Sequence, residues 1–183
     1  MDEQQQQMFR ALPDDTQRDV ARLRFEGYAN EEIAEQLGMS LRSVERKLKV
    51  IREIRAHQPR IVFAPYWVAR HPDHEAASRI VREASYLSGL KKLDTGTEAH
   101  RPFKVLFYQS RFEFTPSFVV DICDSHDKKI EAIRSYESQF HNPNKAELGT
   151  DETRISRADF IPRIETRDRQ YGTYIGVEFG EPF

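Results

Sequence analysis

Arg70, His71, Asp73 and His74 fall within the run ARHPDH, which follows a short apolar stretch and opens a helical pattern. Two histidines three residues apart with an aspartate between them suit metal ligation or acid–base chemistry. A neutral imidazole is a zinc ligand, and a carboxylate beside it orients the ring. A histidine pair alone is more often structural than metal-binding, so this run by itself supports no assignment. A second set of candidates lies upstream: Arg42, Ser43, Arg46 and Lys49 share the outward side of a helical pattern. Such residues at the start of a helix could reach base edges, and those further along could meet phosphates.

These groups need elements to hold them. IVFAP, residues 61–65, is short, apolar and β-rich, as a buried parallel strand would be. Ligand sites of α/β folds gather at the carboxyl-terminal ends of such strands. The helix after the histidines is expected to turn Ala77, Ile80, Val81, Ala84 and Leu87 inward. Further on, residues 104–109 and 117–121 read as strands, joining 61–65 in one small sheet. DKKIEAIRSYESQF reads as an amphipathic helix, and ISRADFIPRIETRDRQYG as a helix interrupted near Pro162. Cys123, the only cysteine, follows an apolar run and reads as a small buried filler. His57, His100, His126 and His141 sit in no ligand motif and read as surface or packing residues.

Residues 11–56 have a different character. Pro13 is their only proline, Gly27 and Gly38 are their only glycines, and they hold no histidine. Pro13 and Asp14 are expected to open a first helix that Gly27 ends. Asn30 should cap a short second helix, Gly38 should make a sharp turn, and Ser40 should cap a third. Leu41, Val44, Leu48 and Ile51 repeat at helical spacing, in a pattern that runs on to about residue 58 with no flexible tether. Small Ala34, Gly38 at the turn and Val44 in the shared core form the pattern of a helix-turn-helix. The expected fold class is therefore an all-α helix-turn-helix over residues 1–56 and an α/β segment over residues 57–183.

Composition sets bounds. The 183 residues carry a net charge of −2, with 32% charged and 38% hydrophobic. No strong basic balance marks the chain as a whole. No apolar run approaches the roughly 18 residues of a membrane span, and the start, MDEQQQQMFR, lacks a signal peptide's apolar stretch. One cysteine excludes an intrachain disulfide and a cysteine zinc cluster. A soluble, cytoplasmic protein without a membrane partner is the expectation. The sequence is compatible with a homo-oligomer and does not fix the assembly.

Two family resemblances follow from these runs. LPDDTQRDVARLRFEGYANEEIAEQLGMSLRSVERKLKVIREI resembles the promoter-reading region of extracytoplasmic-function sigma factors. That resemblance implies promoter DNA as a partner, met by Arg42, Ser43, Arg46 and Lys49. VFAPYWVARHPDH, SGLKK, PSFVVDI, KIEAIRSYESQF and YGTYIGVEFGEPF, in that order, resemble the deacetylases of bacillithiol biosynthesis, in the LmbE-like or PIG-L superfamily. This resemblance implies a Rossmann-like sheet, here partial, and zinc-assisted removal of acetate from N-acetylglucosaminyl malate. It implies His74 as a zinc ligand, His71 as the group that stabilises the oxyanion or protonates the leaving amine, and Asp73 as its orienting carboxylate. It implies Arg70 as a pocket arginine and Glu181 as a substrate-side acid. The family's early Ala/Pro-His-Pro-Asp-Asp motif supplies the other zinc ligands and the general base. Within this sequence the only His-Pro-Asp is residues 71–73, followed by His74. The expectation is a deacetylase relative with an incomplete zinc site, weakly active or inactive alone. The alternatives are a DNA-binding regulator and a non-functional fusion product.

Overall fold

The computed structural model describes residues 15–141 and 153–183, which divide between Glu113 and Phe114 into two compact units. Pro13, Asp14 and the glutamine run lie outside the described residues.

The first unit begins with three helices: α1 (Asp15–Phe25), α2 (Asn30–Gln36) and α3 (Leu41–His57). Gly27 (φ 99°) and Gly38 (φ 60°) take the left-handed backbone that ends α1 and turns α2 into α3. Ser40 caps α3 as expected, its hydroxyl accepting from the Ser43 amide at 3.2 Å. The cap of α2 differs from the expectation. Asn30 is already helical, and the carboxylate of Glu32 instead reaches back to the Ala29 amide at 2.7 Å. A glutamate three residues into a helix satisfies a free amide at the positive end of the dipole as well as an asparagine cap would.

Then follow β1 (Ile61–Pro65), α4 (Pro72–Leu87) and β2 (Lys104–Tyr108). β1 and β2 pair in parallel, Ile61 opposite Lys104 and Pro65 opposite Tyr108. The helical and β-containing parts share one core. Val20, Leu23, Ile33, Val44, Leu48, Ile51 and Ile54 from α1–α3 cluster with Ala84 and Leu87 of α4 and with Leu93. Each large apolar side chain so buried stabilises by about 1.5–3 kcal/mol before entropy is counted. The 56/57 boundary between the two sequence patterns thus lies inside a continuous helix and a continuous core.

The second unit contains β3 (Val119–Asp121), α5 (His126–Arg134), α6 (Phe160–Thr173) and β4 (Gly180–Pro182). β3 pairs with β4, antiparallel. This corrects the expectation of one sheet: among the described residues there are two two-stranded sheets. The backbone before β3 is also taken by the end of the chain, because Ser117 and Phe118 both donate to the Phe183 carbonyl. Alternation within a run does not say which partner a strand will find. Pro162 does not interrupt α6. It occupies the first turn, where a missing N–H costs nothing, and a separate 3₁₀ turn at Arg154–Ser156 precedes it. α5 is shorter than its amphipathic pattern, ending at Arg134. Cys123 is exposed rather than buried, because it starts the 3₁₀ turn after β3, where strand alternation no longer applies.

Gly172 on α6 is required by close approach, since a Cβ there would lie 2.5 Å from the Val177 carbonyl oxygen. The packed interior of this unit is polar at its centre. Asp168 is fully buried, with Lys129 Nζ at 2.8 Å and His126 Nε2 at 3.4 Å. The His126 ring stacks on Phe179, centroids 3.6 Å apart.

Candidate functional site

His71 is the N-cap of α4, with Pro72 in the first turn. Proline suits that place because its fixed φ is already helical. The His71 Nδ1 accepts from the Asp73 backbone amide at 3.2 Å. A neutral imidazole accepting at Nδ1 carries its proton on Nε2. The cap therefore fixes a tautomer whose other nitrogen is a donor. The Asp73 carboxylate lies 3.6 Å from Nδ1, beyond hydrogen-bond length, with both side chains well exposed. In this geometry it is the backbone of Asp73 that holds the neutral ring.

His74 sits on the same first turn, its ring centroid 5.8 Å from that of His71. Arg70 is exposed just before the cap. The preceding loop is pinned at both ends. The Tyr66 amide donates to the Tyr108 carbonyl at 2.9 Å, and the Ala69 amide donates to the Glu75 carboxylate at 3.1 Å. Glu75 had no sign in the motif beyond its place on the first turn, where an acid favours the helix dipole.

Arg70, His71, Asp73 and His74 are thus gathered at the carboxyl-terminal end of β1. Glu181 belongs to the second unit. There its carboxylate pairs with the Lys129 ammonium, which also holds Asp168. His126, expected to be a surface or packing residue, is a packing residue with a charged partner. His100 Nε2 bonds the Pro59 carbonyl at 2.9 Å, and exposed His57 lies 3.5 Å from Glu53.

His71, Asp73 and His74 do not by themselves make a three-ligand set for zinc. Three protein ligands are the norm at a catalytic zinc. Among the described residues no group of three histidine, cysteine, aspartate or glutamate side chains is arranged to hold a metal.

The second set of candidates lies on α3. Arg42, Arg46 and Lys49 are exposed, whereas Ser43 is half-buried and its hydroxyl lies 2.9 Å from that of Ser40. The opposite side of α3 is the buried row of Val44, Leu48 and Ile51. Among the described residues no helix is long and apolar enough to cross a membrane.

Comparison with known proteins agrees with both segments. A family model described as ECF sigma factor matches residues 1–60. A diacetylchitobiose deacetylase from Thermococcus kodakarensis is 33% identical over 104 residues, which cover 52% of this chain and 38% of that protein. The conserved protein TT1542 from Thermus thermophilus superposes with a TM-score of 0.63 at 35% identity, over 76% of this chain and 57% of its own. The N,N'-diacetylchitobiose deacetylase from Pyrococcus horikoshii, solved with an inhibitor, gives a TM-score of 0.59 at 25% identity, over 96% of this chain and 68% of its own. A hydratase, GalB from Pseudomonas putida, shares the fold alone, with a TM-score of 0.56 at 17% identity. The chain spans well under half the length of the curated relative it matches. Over part of its length the chain is therefore similar in sequence and α/β fold to diacetylchitobiose deacetylases, and its first residues are similar to ECF sigma factors.

Proposed function

We infer that the α/β segment is the histidine half of an amino-sugar N-deacetylase site, of poor catalytic power in this chain. The observation that supports it most is the hydrogen bond by which the Asp73 amide occupies His71 Nδ1. With Nδ1 occupied by the Asp73 amide, Nε2–H is available to donate to an amide carbonyl as negative charge grows on its oxygen, or to the departing amine. Arg70 supplies a cation for an anionic substituent of the substrate, such as the malate carboxylates of N-acetylglucosaminyl malate. His74 contributes one of the three ligands that a zinc ion would need. A cytoplasmic setting fits this substrate class.

The test is metal analysis of the purified chain together with acetate release from N-acetylglucosaminyl malate and N,N'-diacetylchitobiose. Well under one zinc per chain is expected, with slow turnover that falls further in His71→Ala. Missing general-base assistance alone lowers a rate by about 10²–10⁴-fold. Stoichiometric, tightly held zinc with fast turnover would refute the half-site. Amino-sugar binding and acetate release no different from a His71→Ala/His74→Ala variant would remove the deacetylase reading.

A second reading rests on a separate observation, the exposed Arg42, Arg46 and Lys49 on a capped helix whose other side is buried. It makes the chain a promoter-DNA-binding protein with α3 in the major groove. Anisotropy titrations over a range of salt concentrations test it, because phosphate contacts make affinity fall steeply with salt. Salt-independent or undetectable binding to every promoter fragment would exclude it.

A further inference from the structure

Trp67 is the chain's only tryptophan, and it stands 50% exposed on the loop that joins β1 to α4. We propose that its indole is the stacking platform for the pyranose ring of the N-acetylated amino sugar, a proposal that rests on the deacetylase reading above.

An exposed indole needs a reason, since burying such a ring is among the largest single apolar gains available to a fold. Trp67 is not loose. Its ring meets the edge of Phe107 at 5.1 Å and 82°, and lies 4.2 Å from Tyr66 at 35°. Phe107 belongs to β2, the parallel neighbour of β1, near the same carboxyl-terminal end. The loop is tied to β2 through the Tyr66 amide and to α4 through Glu75 and Ala69. The indole is thus braced from behind while part of it stays open to solvent.

The same short loop ends in Arg70 and His71. An aromatic side chain on the loop that leads to a cation, two imidazoles and a carboxylate gives the composition of a site for a small polar ligand with one apolar face. A pyranose is such a ligand. Its axial C–H bonds make one face apolar, and its ring edge carries the hydroxyls and the acetamide. Stacking that face on Trp67 would direct the polar edge towards hydrogen-bonding groups at the start of α4. An acyclic sugar alcohol with the same substituents has no such face.

Because Trp67 is the only tryptophan, its fluorescence reads the proposal directly. N-acetylglucosamine and N,N'-diacetylchitobiose are expected to change the emission saturably, and acyclic N-acetylglucosaminitol to leave it unchanged. By calorimetry, Trp67→Ala should weaken sugar binding about three- to tenfold, with Trp67→Phe in between. Thermal melts establish that both variants fold. Saturable sugar binding that leaves the emission unchanged, or equal affinity in Trp67→Ala, would overturn the platform and leave the deacetylase reading standing. An emission that shifts with protein concentration and not with sugar would assign the face to self-association and overturn the platform. Absence of both sugar binding and acetate release would end the platform and the deacetylase reading together.

Discussion

Replacing Arg55 tests whether the two sequence patterns form one cooperative unit. Arg55 lies on α3 just before the similarity boundary, and its side chain is buried. Its guanidinium donates to the Ser88 carbonyl at 2.9 Å, the Leu90 and Leu93 carbonyls at 2.8 Å, the Thr95 hydroxyl at 2.7 Å and the Thr97 carbonyl at 3.2 Å. Burial lowers its pKa from the usual arginine value, and nearby Asp94 acts in the opposite direction. The group remains a cation at any working pH, so the network does not switch with pH near neutrality.

Three of those contacts are buried; without them the Ser88 carbonyl keeps the His100 amide and the Thr95 hydroxyl keeps Thr97, while the Leu93 carbonyl loses its donor. Hydrogen bonds to a charged donor are worth about 1.5–3 kcal/mol each, so losing several should cost about 3–5 kcal/mol, a large part of the 5–15 kcal/mol that holds a domain folded. Arg55→Met keeps most of the apolar stem and isolates the loss of the donors. Urea unfolding followed by Trp67 emission should move its midpoint down by about 2 M, given a slope near 2 kcal/mol per molar. Arg55→Lys should rescue only part, because one ammonium cannot reproduce the planar fork. A loss below about 1 kcal/mol, the size of a surface pair, would refute the reasoning.

Val44→Ala, in the fully buried heart of the helix-turn-helix, should lower the same Trp67 midpoint. The expected loss is about 1–3 kcal/mol, and an unchanged midpoint would show the helices melting separately from β1. Arg46→Ala should weaken promoter binding by about 1–3 kcal/mol if Arg46 reads a base, whereas Lys49→Ala should mainly flatten the salt dependence; anisotropy titrations read both. In the second unit, Lys129→Met would leave Asp168 and Glu181 without their shared ammonium, and thermal unfolding should detect a marked loss. Asp159 accepts from Arg163 at 2.7 and 3.0 Å, which holds its carboxyl below the usual range. A depressed carboxyl pKa stabilises above the unfolded value and is lost as pH falls through the folded one. Its titration by NMR should therefore sit at low pH and return to the ordinary range in Arg163→Gln.

What could be read from the sequence was local. Caps, left-handed glycines and the spacing of Val44, Leu48 and Ile51 depend on neighbours a few residues away, and they outlined α1–α3 without a partner. His71, Pro72 and Asp73 are likewise a local motif, an N-cap and first turn whose geometry needs only the adjacent peptide. Asn30, Pro162 and Cys123 were misread locally, but the larger misreadings were non-local. Nothing in the FVVDI run says that β3 pairs with residues 180–182 rather than with β2. Nothing around Lys129 says that its ammonium will meet a carboxylate on β4 and another on α6. In sequence, Asp168 is one more charge on a mixed-charge helix, and Arg55 one more basic residue on α3. Their burial follows from tertiary packing, which no period of 3.6 or 2 encodes.

The same distinction bears on how a helix-turn-helix and a deacetylase-like segment coexist in one chain. A join between separately folded modules would leave each with its own core and a linker of few contacts. Here α3 supplies Val44 and Leu48 to the helical cluster and Ile54 and Arg55 to the region around α4, so neither sequence pattern contains its whole core. Removing residues 1–56 would strip α4 of its packing partner, and removing residues 57–183 would expose the apolar side of α3. A shared core has a further consequence. Any ligand that binds only the folded unit stabilises all of it by mass action, whether DNA at α3 or an amino sugar at His71. That common stabilisation is not allostery. Coupled affinities require in addition that one ligand change the free energy with which the folded protein binds the other. Within the core that α3 and α4 share, DNA and sugar would each therefore raise the unfolding midpoint of both segments.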